Sequence, residues 1–365
     1  MNNKIRTIGI CTLLAVWVLL SLLLWFAPKA EYTTAERRPL AQLPELSAKT
    51  VFSGKFASDF EAFTLDQFPL RDTFRQIKSL FHYYGLNQSD NNGIYLVDGT
   101  VAKLEYPLNG SSVSYATGRL QYLYDAYLQN TDCKVYSTMI PDKGYYLAEE
   151  NGYLAMDYAA LEKAFRDALP EATYVDLKDA LSADSYYRTD THWRQEQILE
   201  AARKLCEAMG VTMAENYSQE KLDVPFYGVY FGQAALPMKP EDLYIMRSAL
   251  LDGCTVIDPI TGTTSQVYNL EKIASPDLYD VFLSGAQPLL TIENPNGNAD
   301  RELVIFRDSY GSSLTPLLLQ DYSRVTMVDI RYMHPDQMKS YVNLKDQDVL
   351  FAYSTLILNN GRSLK

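Results

Sequence analysis

Histidine is scarce in this chain, with three among 365 residues: His82, His192 and His334. They are scattered and no ligand cluster surrounds any of them, so neither a zinc site nor any other metal or cofactor is expected. Cysteine is almost as scarce. Cys11 lies in an apolar run, while Cys133, Cys206 and Cys254 cannot all pair with one another and form no Cys-x-x-Cys. That excludes a disulfide framework. Basic residues are also in deficit, 33 Lys and Arg against 45 Asp and Glu, for a formal net charge of −12. Such a surface repels phosphate, which argues against nucleic acid as a partner and favours a neutral glycan over a polyanion. No internal repeat or low-complexity tract is visible.

What is present is ordinary globular composition, 47% apolar and 21% charged, enriched in tyrosine (28 residues). Tyr83-Tyr84, Tyr145-Tyr146 and Tyr186-Tyr187 are paired. Tyrosine offers a flat apolar face with a polar tip, which suits a sugar ring and equally suits a core or a strand face.

Lys4 and Arg6 precede an uncharged run from Ile8 to Ala27, with Trp25 near its end. About 20 such residues cross a bilayer as a helix. Basic residues before the run predict a cytoplasmic N-terminus and an extracellular remainder. A cleaved signal peptide is the alternative; no Ala-x-Ala ends the run and no cysteine follows it for lipid attachment. The organisation expected is an anchor over 1–27, a stalk over 28–50, and one α/β domain over 51–365.

Two apolar stripes at helical spacing, one through Phe56, Phe60, Phe63 and Leu65 and one through Phe74, Ile77, Leu80 and Phe81, are expected to be core. Pro69 divides the two helices, and Arg71 and Asp72 are expected to cap and pair locally. Asn91-Asn92-Gly93 and Asp98-Gly99 mark turns of a hairpin around Ile94–Val97. A helix over 114–128, a buried strand over 135–140 and a helix over 156–169 follow. The strand ends at Pro141-Asp142-Lys143. Lys143 there is either a solvated lysine or a group of a strand-end site. A short strand over 173–177 comes next, and a helix over 194–209. Residues 211–300 break the α/β rhythm, with strand-like runs at 229–231 and 254–257, and read as an insertion capping a site through Phe226, Tyr227 and Tyr230. The rhythm returns with strands at 303–306, 325–328 and 349–351 and a helix near 335–342. The fold class expected is a three-layer α/β sandwich with a central parallel sheet.

Of the three histidines, only His192 has a carboxylate two residues before it in a polar, turn-like context. A histidine acting as a base needs such a partner to fix its tautomer and hold its ring. In an extended or turning segment Asp190 can supply it; a structural Asp and His at a helix start is the other reading of Asp190-Thr191-His192-Trp193. Placed at the start of the helix over 194–209, His192 would feel a dipole that disfavours the imidazolium while Asp190 favours it. A second stretch bears on the choice. Leu303-Val304-Ile305-Phe306 is a strand that breaks into Arg307-Asp308-Ser309-Tyr310-Gly311 and then a helix. A serine on a tight strand-to-helix turn is how a nucleophile is displayed. The N–H groups of Tyr310 and Gly311 are candidate oxyanion donors, whereas Ser312 and Ser313 read as helix-capping serines. Arg331, in Asp329-Ile330-Arg331-Tyr332 after another strand end, would bind an anionic group or pair with Asp329.

These stretches, together with Glu36-Arg37-Arg38-Pro39-Leu40-Ala41, Phe68-Pro69-Leu70-Arg71-Asp72, Phe226-Tyr227-Gly228 and Tyr279-Asp280-Val281-Phe282-Leu283, resemble the DHHW family of bacterial proteins. These are relatives of the alginate O-acetylation proteins in the SGNH-hydrolase-like group. The resemblance runs in one order over nearly the whole ectodomain. It departs at Thr191, which stands at the first histidine of the family's name, and at Ser284-Gly285-Ala286, where the family often has Gly-Gly-Asn; if that Asn is an oxyanion donor, its absence here weakens the enzyme reading. The resemblance implies Ser309 as nucleophile, His192 as base and Asp190 as its orienting carboxylate. Tyr310, Gly311, Arg331, Tyr332 and Lys143 are then candidates for oxyanion or substrate contacts. It also implies O-acetyl transfer to a polysaccharide acceptor, with a multi-pass membrane O-acyltransferase as acetyl donor. A carbohydrate esterase shares every residue named, and a non-catalytic glycan-binding or assembly protein would keep the fold alone.

Overall fold

The structure, a computed structural model, describes residues 3–213 and 216–365. It divides into two compact units, one of residues 1–91 and 231–237 and one of residues 92–230 and 238–365.

The first unit opens with α1, Asn3–Phe26, whose 24 residues span roughly 36 Å at 1.5 Å each. Residues Lys4–Phe26 are long and apolar enough to cross a membrane or to act as a signal sequence. After it come α2 (Ala48–Phe52), α3 (Lys55–Asp66) and α4 (Arg71–Leu80). Ser47 caps α2, its Oγ accepting from Thr50 N–H at 3.2 Å. Arg38 forks onto Asp66 at 2.6 and 2.7 Å, and Arg71 and Arg75 reach Glu36 at 2.5 and 3.0 Å. Hydrogen bonding from Arg38 holds the Asp66 carboxyl down at about 2. Arg71 also pairs with Asp72 at 3.2 Å. The two apolar stripes do not become core as their spacing predicts. Phe63 is buried, but Leu65, Phe74, Ile77, Leu80 and Phe81 are exposed. On α4 the paired arginines take the inner side, which leaves the apolar side outward.

The second unit is built on an eight-stranded sheet. Its strands are β1 (Lys134–Ile140), β2 (Thr173–Tyr174), β3 (Thr255–Ile257), β4 (Thr264–Ser265), β5 (Leu289–Glu293), β6 (Asn298–Arg307), β7 (Tyr322–Val328) and β8 (Asp348–Ser354), in the order β4-β3-β5-β7-β6-β8-β1-β2. The strands from β7 to β2 are parallel, whereas β5 pairs antiparallel with β7, and β3 and β4 continue antiparallel beyond it. The sheet is therefore mixed, not parallel throughout. The reason lies in residues 211–300: part of that stretch adds the three antiparallel strands to one edge instead of standing apart from the sheet. Another expectation there fails, because residues 229–231 begin a helical turn and not a strand.

Strand β6 shows how the layers arise. Leu303 and Ile305 enter one core and Val304 and Phe306 the other, as the two-residue period of a strand buried on both faces requires. One core is closed by α5 (Gly110–Tyr127) and α6 (Tyr158–Ala168), the other by α7 (Leu199–Ala208). Helix α6 forms because Asp157 caps Ala160 N–H at 2.9 Å and because Leu161, Phe165 and Ala168 fall on one side. Truncating Phe165 to Ala would cost about 3–5 kcal/mol, since the cavity cannot fully collapse. The parallel strands all end at one edge, where Lys143, Ser309 and Arg331 follow β1, β6 and β7.

Candidate active site

The segment Tyr187–His192 is a closed loop, not a helix start. Tyr186 and Trp193 form an antiparallel bridge, Tyr187 N–H donates to His192 O at 3.1 Å, and Arg194 N–H donates to Ser185 O at 2.8 Å. Helix α7 begins only at Leu199, after a short 3₁₀ turn over Gln195–Gln197, so a helix dipole does not act on His192 as expected. The loop turns Asp190 back onto His192. One carboxylate oxygen, Oδ1, lies 2.6 Å from His192 Nδ1 and accepts His192 N–H at 2.9 Å. The other, Oδ2, accepts Val229 N–H at 2.7 Å.

Ser309 sits two residues beyond the end of β6, half-buried, with Oγ 2.8 Å from His192 Nε2. Asp308 fixes this turn. Its Oδ1 accepts Tyr310 N–H at 3.0 Å, its Oδ2 accepts Ser354 N–H from the end of β8 at 2.7 Å, and its main-chain O accepts Gly311 N–H at 3.1 Å. The N–H groups of Tyr310 and Gly311 are thus engaged within the turn and would have to leave Asp308 to serve an oxyanion. Gly311 is needed for space: a Cβ there would lie 2.7 Å from Arg307 Cβ.

Three elements grip the loop from outside. Lys143 is buried, not solvated, and donates through Nζ to the carbonyls of Tyr187 at 2.7 Å and Arg188 at 3.3 Å. Burial lowers its pKa to about 7, against the opposing pull of Asp190, Glu241 and Asp142. Glu241 accepts Arg188 N–H at 2.7 Å and Thr189 N–H at 2.8 Å from the other side. Gly228 passes so close that a Cβ would lie 2.3 Å from Asp190 Cα, Asp190 Cβ and Thr189 O. Of the residues expected to cap the site, Tyr230 reaches Thr191 Oγ1 at 3.2 Å, Phe226 packs on Tyr187 with ring centroids 4.6 Å apart, and Tyr227 is exposed.

Aromatic rings complete the surroundings of His192. Tyr279 stacks on it, centroids 3.9 Å apart and 8° from parallel, and its OH is 2.7 Å from Ser313 Oγ. Ser313 also accepts Trp193 Nε1–H at 2.8 Å, a buried link rather than a helix cap. Tyr310 donates its OH to Thr191 O at 2.6 Å. Burial pushes the phenols of Tyr279 and Tyr310 far up, so both stay protonated. Arg331 is taken up by Asp329 at 2.6–3.2 Å, and Tyr332 is half-exposed beside it. Buried Arg307 lies 3.6 Å from the same Asp329.

Sequence reasoning named Ser309, His192 and Asp190, and the fold brings these three into one hydrogen-bonded line. It missed Glu241, Gly228 as a spacer, and Tyr279 as a ring support. Gly228 and Tyr279 lay inside stretches already singled out; nothing in the sequence marks Glu241.

An α/β protein with a serine, a histidine and an aspartate aligned at the strand ends is the class that this geometry defines. The chain is similar in structure to a DHHW family protein from Eubacterium siraeum, with a TM-score of 0.61 and 24% identity over 75% of this chain and 94% of that one. It is also similar to Bacillus cereus PatB1 with a sulfonyl adduct, at a TM-score of 0.54 and 18% identity over 73% of this chain and 95% of that one. A second structure of Bacillus cereus PatB1 gives a TM-score of 0.52 and 17% identity over 73% of this chain and 97% of that one. No family model and no curated protein sequence matches the chain.

Proposed function

We propose that this chain is a membrane-anchored, extracytoplasmic O-acetyltransferase acting on a cell-surface or secreted polysaccharide. The observation that carries the reading is the line Asp190–His192–Ser309, with contacts of 2.6 and 2.8 Å. In the first half-reaction Ser309 Oγ attacks the carbonyl carbon of an acetyl ester while His192 Nε2 takes its proton. Asp190 fixes the Nδ1–H tautomer and stabilises the imidazolium. The tetrahedral intermediate collapses, the leaving alcohol takes the proton from His192, and acetyl-Ser309 remains. A glycan hydroxyl then attacks, gives its proton to His192, and displaces Ser309, which recovers the proton. The N–H of Ser309 itself has no partner among the described residues and is a candidate donor for the oxyanion. Water in place of the glycan gives the esterase reading, which uses the same groups. The structural likeness to a DHHW family protein supports the fold. The transferase assignment and a membrane acyltransferase as donor rest on the sequence resemblance.

The experiment is aryl acetate turnover by the full chain with and without a glycan acceptor. Acetylated glycan in wild type and none in Ser309→Ala supports transfer. Acetate release unaffected by any glycan supports the esterase. An aryl sulfonyl fluoride should modify Ser309 and no other serine; failure to modify it would remove the nucleophile and leave a glycan-binding role in front.

A further inference from the structure

The exposed apolar side chains of this molecule are concentrated in one place. Beyond α1, residues 27–91 expose eleven Leu, Ile, Val and Phe side chains, whereas the described residues of the second unit expose three, Leu154, Ile260 and Leu270. A water-facing surface carries such residues singly, not massed on about 65 residues. Helix α4 carries the pattern furthest because it is amphipathic the wrong way round for water. Its Arg71 and Arg75 turn inward to Glu36, and its Phe74, Ile77 and the following Phe81 turn outward at 45%, 56% and 58% exposure. On α2, Phe52 is 91% exposed between Lys49 and Lys55.

The position of these helices says what covers them. Trp25, in the last turn of α1, packs on Phe60 and Phe63 of α3 with centroids 6.2 and 6.4 Å apart. Phe56 continues the stripe by stacking on Phe60 at 5.7 Å. The start of α4 shares the walls of a groove of about 530 Å³ with Leu23, Ala27 and Lys29 at the end of α1. A tryptophan at the end of an apolar helix marks the membrane–water boundary. From Phe63 to Phe56 along α3 is only about 10 Å at 1.5 Å per residue, so α3 cannot carry its stripe far from that boundary in any orientation.

We propose that α2, α3 and α4 lie in the headgroup–acyl boundary of the bilayer that α1 crosses, with Phe52, Phe74, Ile77 and Phe81 inserted among the lipids. The occupant is phospholipid, its apolar boundary meeting the rings and its anionic headgroups meeting Lys49, while Lys55 beside it is paired with Asp59 at 2.6 Å. The proposal rests on α1 being retained as an anchor. Its effect would be to hold the first unit flat on the membrane.

The test uses the full chain in vesicles of phosphatidylcholine and phosphatidylglycerol carrying a phospholipid with a diazirine near the top of one acyl chain. Adducts are mapped by mass spectrometry after illumination. The proposal expects adducts in peptides covering 46–56 and 74–81 as well as in α1. Phe52→Ser with Ile77→Ser should lower the yield in those peptides at least fivefold and leave the yield in α1 unchanged, with circular dichroism unaltered. Adducts in α1 alone would overturn the proposal while keeping the anchor, and would assign the surface to another protein. Adducts in neither would show that α1 does not span the bilayer, and the proposal would fall with the anchor.

Discussion

Tyr279 lies flat against His192, 3.9 Å between ring centres and 8° from parallel, while its hydroxyl reaches Ser313 Oγ at 2.7 Å. The imidazole is thus fixed on its face by a ring that is itself tied to the helix following Ser309. Asp190 fixes the same imidazole on its edge. Tyr279→Phe keeps the stack and loses only the hydroxyl, so aryl acetate turnover should fall less than about tenfold. Tyr279→Ala frees the ring and, under the proposed mechanism, should lower kcat by about 10²-fold, the scale at which a small misplacement is felt. Equal losses in the two variants would show that the hydroxyl, not the stack, matters.

Under the proposed mechanism Ser309→Ala and His192→Ala should each remove on the order of 10⁴-fold or more of the turnover, and the double variant little beyond that, because groups of one relay act as a unit. Asp190→Asn should cost less than either but still on the order of 10³-fold, through the wrong tautomer. Steady-state kinetics with circular dichroism on each variant checks this. Additive losses in the double variant would mean that Ser309 and His192 do not work together.

Gly228→Ala tests the spacing behind Asp190. Its Cβ would stand 2.3 Å from Asp190 Cα, so the loop or the backbone around Gly228 must shift. The expected cost is about 1–3 kcal/mol in denaturant unfolding, the usual range for overpacking, with a fall in turnover beyond tenfold. Gly118→Ala, on the exposed side of α5 with nothing within 4 Å of the new Cβ, is the control and should leave both unchanged or raise stability by up to about 1 kcal/mol. A Gly228→Ala protein as active as wild type would free Asp190 from this constraint.

Lys143 gives the chain a pH signature. Burial brings its folded pKa to about 7 from an ordinary 10.5, so above pH 7 the folded state has released a proton that the unfolded chain still holds. Because the unfolded state then binds more protons, stability rises with pH from about 7 to 10.5 through this group and is flat below. In Lys143→Met that rise should disappear. The stability difference between wild type and variant, measured by urea unfolding at pH 6, 8 and 10, should therefore move in favour of wild type as pH increases. A difference that stays constant would mean that Lys143 keeps its proton.

Much of this molecule was legible in its residues. The run at Leu303–Phe306 declared a strand, and the break at Arg307–Gly311 declared a turn displaying Ser309, because strand propensity and turn chemistry are local. Asp190 and His192 were legible because a carboxylate two residues away in a turning segment can reach its histidine without help from the rest of the chain. Other features were settled only by the tertiary structure. Ser309 and His192 stand 117 positions apart, and their 2.8 Å contact exists because β6 and the Tyr186–Trp193 bridge end at the same edge. Whether Lys143 was solvated or buried depended on a loop 44 residues away covering it. The direction of β5 depended on how a long excursion returned, which no local pattern encodes. The stripes through Phe56 and Phe74 set out the same limit: periodicity determines which side of a helix is apolar, but what covers that side is decided by the elements packed around it, and on α4 those elements took the arginines.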